Sequence, residues 1–204
     1  MESLILKLII LVLTSVSTAV FSQSTDAQNY SHEAAQSDTH RSVDKLPSSD
    51  AQKSFDQLKT LAGTWQGTVT MNPPNAEIDG TKLDITVRVT SRGNALVHEM
   101  QEAGKPLDPT KYDHPVTMLY VDGDKLNLVH YCDAGNRPRM VARPSANAKT
   151  VEFDFTELSG GNEYGHMYHA VFTIIDADNH AEDWTYMMPG DKPMQAHMDL
   201  QRVK

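Results

Sequence analysis

Hydrophobic and polar residues alternate along most of the chain after residue 63, and this period of two is typical of strands with one buried face. The clearest case is the segment 83–90, in which Leu, Ile and Val alternate with Asp, Thr and Arg. Turn residues at 92–94 and 122–124 predict two hairpins. About seven or eight short strands without a long helix predict an all-β protein. We favour a closed antiparallel barrel over a sandwich because closure removes the exposed edges of the sheet.

A short helical segment precedes the first predicted strand. Phe55, Leu58 and Leu61 recur every three residues, and Gly63 follows as a residue type that often ends helices. The apolar side of such a turn needs a partner in the core. We therefore expect an N-terminal helical plug at one end of the barrel.

The predicted hairpin at 92–94 directs one histidine towards the interior. A two-residue turn places His98 on the same face as the valines of segment 83–90. This turn has two alternative centres, and only one of them sets Arg88 directly opposite Glu99 on the wet face. The pattern leaves the choice between the two centres open.

The predicted hairpin at 122–124 positions a second histidine. A two-residue turn groups His130 and Cys132 with the leucines of both strands, whereas a three-residue turn changes the cross-strand partners. His130 shares its face with leucines in either register, but the opposite face is also apolar, so the inward side is undecided. The same ambiguity applies to Glu182 and Trp184, on a later strand.

The N-terminal region has a different composition from the rest of the chain. Residues 1–22 contain a short apolar run followed by small residues, which predicts a cleavable signal peptide. Residues 23–50 have few aliphatic side chains and predict a disordered leader. Residues 51–204 are long enough to bury the core of one barrel domain. We therefore expect a secreted or periplasmic protein.

Charge and cysteine content narrow the range of partners. The formal net charge is −9, without a basic stripe, which argues against binding to nucleic acid or to anionic membrane surfaces. The N-terminal apolar run is too short for stable membrane insertion. Cys132 is the only cysteine, so no intramolecular disulfide can form. The expected partner is a small molecule, and the oligomeric state stays open.

The segment that follows the second histidine has the residues of a specialised loop. Gly135 permits a left-handed backbone, Asn136 can bond its own backbone, and Pro138 stiffens the exit. Such a loop would hold Arg139 near the rim of the barrel, where its guanidinium can bind an anionic group. The alternative interpretation is a β-bulge corner with solvated arginines.

Two residues, His130 and Glu182, are the candidate catalytic groups. Imidazole can act as a general acid or base near neutral pH. Cys132 follows His130 by two residues, about 6.5–7 Å along a strand, which is too far for direct contact between a nucleophile and its base. The plainer interpretation of His98 is a core histidine that bonds a neighbour.

A zinc site would require three or four converging ligands, for which His98, His130, Glu182 and either His166 or His169 are available. His166 and His169 are expected on opposite faces of one strand, and the chain has no HExxH or paired-cysteine motif. One inward histidine would suffice as an axial ligand of haem. We expect no cofactor, with haem as the alternative.

Aromatic and methionine side chains are expected to complete a ligand pocket, because a barrel of this size can hold one small molecule. Together with the polar groups discussed above they define the expected binding site. The predicted ligand-binding residues are His98, Tyr120, His130, Cys132, Asn136, Arg139, His166 and Trp184.

The segment LAGTWQG at 61–67 resembles the Gly-x-Trp opening of the calycins, the lipocalin and fatty-acid-binding-protein group. That resemblance implies that Trp65 closes the base of the barrel and that Arg202 lies across it. Residues 55–203 are also similar to a bacterial lipocalin-like family whose members are mostly of unknown function, most specifically at HYC and GNRPRM between 130 and 140. By architecture alone, the chain resembles nitrobindin-type haem barrels.

These patterns lead to one hypothesis and two alternatives. The hypothesis is a lipocalin-like barrel that binds a small, largely apolar ligand, whose polar end meets Arg139 or His130. The first alternative is an enzyme acting in the same cavity with His130 as acid or base. The second is a haem or metal binder that uses the inward histidines.

Overall fold

The computed structural model describes residues 49–143, 147 and 149–204. The predicted signal peptide, 1–22, lies outside the described residues, and so does the predicted leader apart from its last two residues, Ser49 and Asp50. Both assignments therefore stay predictions.

The described residues form one α-helix, one 3-10 turn at Ser91–Gly93 and ten strands. The helix and strands are α1 (Asp50–Lys59), β1 (Gly63–Asn72), β2 (Lys82–Thr90), β3 (Ala95–Glu102), β4 (Val116–Asp122), β5 (Lys125–Tyr131), β6 (Arg137–Ala142), β7 (Thr150–Ser159), β8 (His166–Ile174), β9 (Asn179–Met188) and β10 (Lys192–Arg202). Among these residues, α1 is too short and too polar to cross a lipid bilayer.

Every strand pairs with its neighbours in the chain, and β1 also pairs with β10, so the sheet closes into an antiparallel barrel. The predicted fold class is therefore confirmed. The strand count exceeds the prediction, partly because β6 occupies a segment that the sequence assigned to a loop. Pro138 argues against a strand. It is tolerated because the pairing between β5 and β6 starts one residue later, at Arg139, so its missing N–H removes no bond to β5.

The helix α1 caps one end of the barrel, as the sequence predicts. The side chain of Ser49 accepts a hydrogen bond from the backbone N–H of Gln52 and so caps the first turn. Phe55 and Leu58 are almost fully buried and belong to the main hydrophobic core. The helix packs against β4 and β5. We call this end of the barrel the closed end.

The closed end is reinforced by the contact that the calycin resemblance implies. The guanidinium carbon of Arg202 lies 4.0 Å from the centre of the Trp65 ring, a cation-π contact. The indole N–H of Trp65 donates to the carbonyl of Leu61 at 2.7 Å. Gly63 has a φ of 143°, which L side chains rarely adopt, and a Cβ atom at this position would displace the Arg202 guanidinium. The predicted pairing of Trp65 with Arg202 is confirmed.

The hairpin registers resolve the alternatives that the sequence left open. Thr90 pairs with Ala95, so Arg88 lies opposite Val97 and not opposite Glu99. The ion pair between Arg88 and Glu99 still forms, at 3.7 Å, because it reaches diagonally across the two strands. Between β4 and β5, a two-residue turn is present.

Burial changes along the axis of the barrel. Inward side chains in the middle of the barrel and near α1 are almost fully buried. Those with 0% exposure to solvent include Trp65, Ile85, Leu128 and Phe153. At the opposite end, four inward apolar residues pack against the core but are only partly buried. These residues, which we call the mouth, are Leu83, Met100, Met167 and Met194.

Candidate functional site in the barrel interior

A row of polar side chains crosses three adjacent strands inside the barrel. Thr117 of β4 pairs with His98 of β3 on one side and with His130 of β5 on the other. Residues paired in this way point to the same face of the sheet. Each of the three is only 1% exposed. The structure therefore places both histidines in the interior, with a hydroxyl between their strands.

A carboxylate reaches this row from the far side of the barrel. Glu182 of β9 is fully buried, and its oxygens accept hydrogen bonds from three rings. The His98 Nε2 lies 3.0 Å from Oε1, the His180 Nε2 lies 3.0 Å from the same oxygen, and the Trp184 indole N–H donates to Oε2 at 2.8 Å. We call His98, Thr117, His130, His180, Glu182 and Trp184 the interior polar cluster.

The protonation state of Glu182 follows from these contacts. Burial alone would raise the pKa of this carboxyl, but the charge of His98 and the hydrogen bonds from His180 and His98 outweigh burial and hold the pKa well below its usual range. An ionised carboxylate only accepts hydrogen bonds. The Nε2 atoms of both histidines must therefore carry the protons.

This arrangement leaves the other nitrogen of each ring without a partner. The Nδ1 atoms of His98 and His180 are buried and make no hydrogen bond within the described part of the chain. A buried polar group left unpaired costs about 1–3 kcal/mol, and such groups are uncommon in folded proteins. The interior polar cluster therefore has unused capacity to bind a polar group.

His130 is held in its neutral form. Burial, followed by the charge of His98, lowers the pKa of His130 to about 4. Its Nδ1 lies 2.8 Å from the hydroxyl oxygen of Thr117. Its Nε2 takes part in none of the hydrogen bonds between described residues. The ring is thus oriented by Thr117 and offers one free nitrogen.

Aromatic rings enclose the cluster. The ring of His98 lies 5.9 Å from that of Phe172 and 5.8 Å from that of Trp184, and the latter two are 5.6 Å apart. His180 meets Trp65 edge to face at 4.2 Å, which links the cluster to the closed end. Such contacts stabilise ring positions and exclude water. The polar atoms therefore lie in a low-dielectric environment, where each hydrogen bond is strengthened.

The loop after β5 differs from its predicted role. Cys132 lies just beyond the strand, beside the carboxyl groups of Asp113 and Asp133. Burial and these carboxylates raise the pKa of the Cys132 thiol, so it stays protonated and is a poor nucleophile. Because the strand ends at Tyr131, the shared face that the sequence predicted for His130 and Cys132 does not extend to the thiol.

The side chain of Asn136 links two loops through hydrogen bonds. The sequence predicts that it bonds its own backbone, but its amide donates to the carbonyl oxygens of Gly161 and Gly165, at 2.9 and 2.7 Å. This prediction was wrong because the partners lie more than 20 residues away and only the barrel brings them close. Gly135 adopts the predicted left-handed backbone, with φ of 70°.

Two of the predicted ligand-binding residues lie on the outer wall. Arg139 pairs with Val129, on the face opposite to His130, and its guanidinium lies 3.1 Å from the exposed carboxylate of Glu157. Tyr120 is next to the inward Leu119, so it points outward. Arg139 was misplaced because β6 continues the strand alternation where the sequence predicts a loop.

The two histidines of β8, His166 and His169, contact residues outside the interior polar cluster. The Nδ1 of His166 lies 2.9 Å from the side-chain oxygen of Asn162, and its ring is tilted against that of Phe155, with 4.5 Å between the ring centres. The Nδ1 of His169 lies 3.1 Å from a carboxylate oxygen of Asp154. The two were predicted on opposite faces, but a bulge between Met167 and His169 puts them on one face of the sheet.

The potential metal ligands that converge in the structure differ from the zinc set weighed from the sequence. Within the described part, the side chains that bring three potential ligand atoms within 4.8 Å of one another are those of Asp113, Cys132 and Asp133. The zinc alternative weighed from the sequence used His98, His130, Glu182 and either His166 or His169. His98 and Glu182 are in contact, whereas His166 and His169 bond the groups described above.

Sequence reasoning missed His180 and the role of Thr117. His180, Glu182 and Trp184 alternate along β9, so a choice of inward face for this strand would have found all three together. Thr117 was grouped with His130 by the two-residue turn, but its hydrogen bond to the imidazole depends on side-chain geometry.

No protein-family model and no curated protein matches the chain. Among solved structures, Rv2717c from M. tuberculosis is similar with a TM-score of 0.53 and 14% identity, over 74% of this chain and 98% of that one. A DUF3598-family protein of unknown function from Nostoc punctiforme has a TM-score of 0.47 and 10% identity, over 72% of this chain and 49% of that one. A redesigned β-barrel has a TM-score of 0.40 and 11% identity, over 72% and 94%.

Membership of the calycin family is not shown by these comparisons. The likeness to Rv2717c supports the fold alone, because its sequence identity is low. Fold and interior together define the class of the protein. It is a closed ten-stranded antiparallel β-barrel with a histidine and glutamate cluster buried in its interior.

Proposed function

We propose that the protein binds a small, largely apolar molecule inside the barrel, entering through the mouth and meeting the interior polar cluster with its polar end. The observation that carries the proposal is the Nδ1 of His98, a buried atom that makes no hydrogen bond to any residue that the structure describes. A bound polar group would offset the cost of leaving it unpaired.

The composition of the mouth supports an apolar ligand. Three of its four residues are Met100, Met167 and Met194, whose unbranched, polarizable side chains adapt to different shapes. They are only partly buried, whereas the rings below them are shielded from solvent. An apolar ligand would cover this surface while its polar end reaches inward.

The polar end of the ligand is assigned to His98 and His130 and not to Arg139. The guanidinium of Arg139 lies on the outer wall and is paired with Glu157. His98 and His130 flank Thr117 in the interior. Among the described residues, the Nδ1 of His98 is buried without a hydrogen bond, and the hydrogen bond of His130 uses its Nδ1 and leaves its Nε2 available. Trp184 packs beside both rings, at 5.8 and 5.7 Å, and would contact a ligand bound there.

The remaining expectations belong to the same proposal. The predicted signal peptide supports a secreted or periplasmic location, and the net charge of −9 supports a small molecule as partner in preference to nucleic acid or a membrane. No cofactor is included. The packing of Phe172 and Trp184 beside His98, at 5.9 and 5.8 Å, supports leaving haem out of the proposal.

The alternative function is an enzyme that acts in the same cavity. The observation in its favour is the 2.8 Å contact between the Thr117 hydroxyl and His130 Nδ1, which resembles a hydroxyl paired with its base. His130 is the general base in this alternative. A pKa of about 4 makes it a weak one, which favours binding over catalysis.

Native mass spectrometry of protein purified from its host tests the proposal. We expect the wild-type protein and an Arg139→Gln variant to retain a small organic molecule. A His98→Gln variant keeps an N–H for Glu182 but loses the Nδ1 acceptor, so we expect it to retain about tenfold less. Retained haem or zinc would contradict the proposal, and so would turnover of the retained molecule.

Titration with probes covers the case in which the natural ligand is lost during purification. A Trp65→Phe variant leaves Trp184 as the single tryptophan, since the chain has two. Saturable binding of 1-octanol, octanoate or octylamine, with a change in Trp184 emission, would support binding inside the barrel. If none of the three probes binds, the interior is a closed core and the proposed function is wrong.

A further inference from the structure

We infer that the ligand of this site is an uncharged molecule with a hydroxyl group at its polar end, and that the barrel discriminates against carboxylates and amines of the same shape. This inference rests on the proposed function and adds the chemical class of the ligand. It depends on which charges the interior contains and on which ring atoms are free.

The interior, as far as the structure describes it, offers no cation to pair with a ligand carboxylate. The buried polar and charged side chains of the described residues are His98, Thr117, Asn127, His130, Asn136, His166, His180 and Glu182. This set contains no lysine or arginine. A carboxylate entering the cluster would lose its hydration and face the ionised Glu182, so both desolvation and charge repulsion oppose its binding.

The histidines do not replace the missing cation. Burial and the charge of His98 lower the pKa of His130 to about 4, so its ring is neutral near neutral pH. A positive charge on either His98 or His180 is balanced by Glu182, which lies 3.0 Å from the Nε2 of each. The cluster therefore has no unpaired positive charge to offer.

A protonated amine is disfavoured for a related reason. An ammonium group needs acceptors, preferably charged ones. The two oxygens of Glu182 already accept from His98, His180 and Trp184. An amine would have to displace one of these donors and leave it unpaired, at a cost comparable to the gain.

A hydroxyl group fits the free ring atoms in every protonation state. The Nδ1 of His98 accepts a hydrogen bond when the ring is neutral and donates one when it is protonated. The Nε2 of His130 is a donor or an acceptor depending on whether Nδ1 accepts from Thr117 or donates to it. A hydroxyl both donates and accepts, whereas an ether or ketone only accepts.

The test compares three probes that share one alkyl chain, using the Trp65→Phe variant and the emission of Trp184. At about pH 8 octanoate is ionised and octylamine is protonated. We expect 1-octanol to bind at least about tenfold more tightly than either charged probe. Octanoate or octylamine binding as tightly as 1-octanol would overturn the hydroxyl inference but leave binding inside the barrel intact.

Variants of the two histidines locate the polar end. His98→Gln and His130→Gln, each in the Trp65→Phe background, remove one free ring nitrogen while keeping a polar side chain. We expect at least one of them to reduce the ratio of octanol affinity to octanoate affinity by about tenfold. The exposed His197→Gln is the matched control and should leave the ratio unchanged. An unchanged ratio in both interior variants would refute the assigned position, and absence of binding by all three probes would instead refute the proposed function.

Discussion

Replacing Glu182 with alanine is expected to lower the free energy of unfolding by about 3–5 kcal/mol, which is typical of breaking a buried ionic group while its partners remain. The carboxylate is fully buried and accepts hydrogen bonds from His98, His180 and Trp184. Alanine would leave three buried donors without acceptors and would also create a cavity. Urea denaturation followed by tryptophan emission measures the change.

Two further variants make this prediction specific to the buried carboxylate. Asp183→Ala alters the adjacent residue of β9, whose carboxylate forms an exposed pair with His197, so we expect a loss below about 1 kcal/mol. Glu182→Gln keeps an acceptor oxygen but removes the charge, and its effect should lie between the two. A Glu182→Ala protein as stable as the Asp183→Ala protein would show that the cluster does not support the fold.

Acidification is expected to destabilise the protein by about 3 kcal/mol between about pH 6.5 and pH 4 through His130 alone. The folded state lowers the pKa of this histidine from 6.5 to about 4. The unfolded chain therefore binds a proton more readily than the native protein in this range. The stability contributed by neutral His130 is complete above about pH 6.5 and is lost as the pH falls through that window.

Other titrating groups also affect how the free energy of unfolding depends on pH. A variant of His130 separates its contribution from theirs. Burial also lowers the pKa of His166, which acts in the same direction, whereas hydrogen bonding to Asp183 raises the pKa of His197, which acts in the opposite direction. Glu182, with its lowered pKa, loses its contribution only below about pH 4.5. The difference between wild type and His130→Asn, measured by urea denaturation from about pH 7.5 to 4.5, isolates His130. Parallel curves for the two proteins would contradict the prediction.

The sequence was most informative about local structure. Alternation identified β2 and most other strands, the three-residue spacing of Phe55 and Leu58 identified the helix that caps the barrel, and the Gly-x-Trp segment placed Trp65 opposite Arg202. These features depend on neighbours in the chain or on a common strand period, so they can be found without coordinates. β6 was missed because proline and turn residues obscured its alternation.

The candidate site was only partly predictable, because its contacts join residues that are far apart in the chain. The inward direction of His98 follows from the register of one hairpin. The hydrogen bond between His98 and Glu182 joins residues 84 apart in the chain, so no local sequence pattern predicts it. Arg139 and Tyr120 were expected beside the ligand, but both point outward. Side chains alternate between the two faces of a strand, so a shift of one residue moves a side chain to the other face.

The sequence by itself determined the all-β class, the cap at one end and the inward face of His98, because a period of two is a property of the chain alone. It left the inward face of the His130 strand open. Only the tertiary structure decided that β9 turns His180, Glu182 and Trp184 towards those histidines, and that Arg139 is excluded from them. Closure of the sheet sets which strands face each other across the interior. That choice, together with the cost of burying unpaired polar groups, selects the contacts from which the cluster is built.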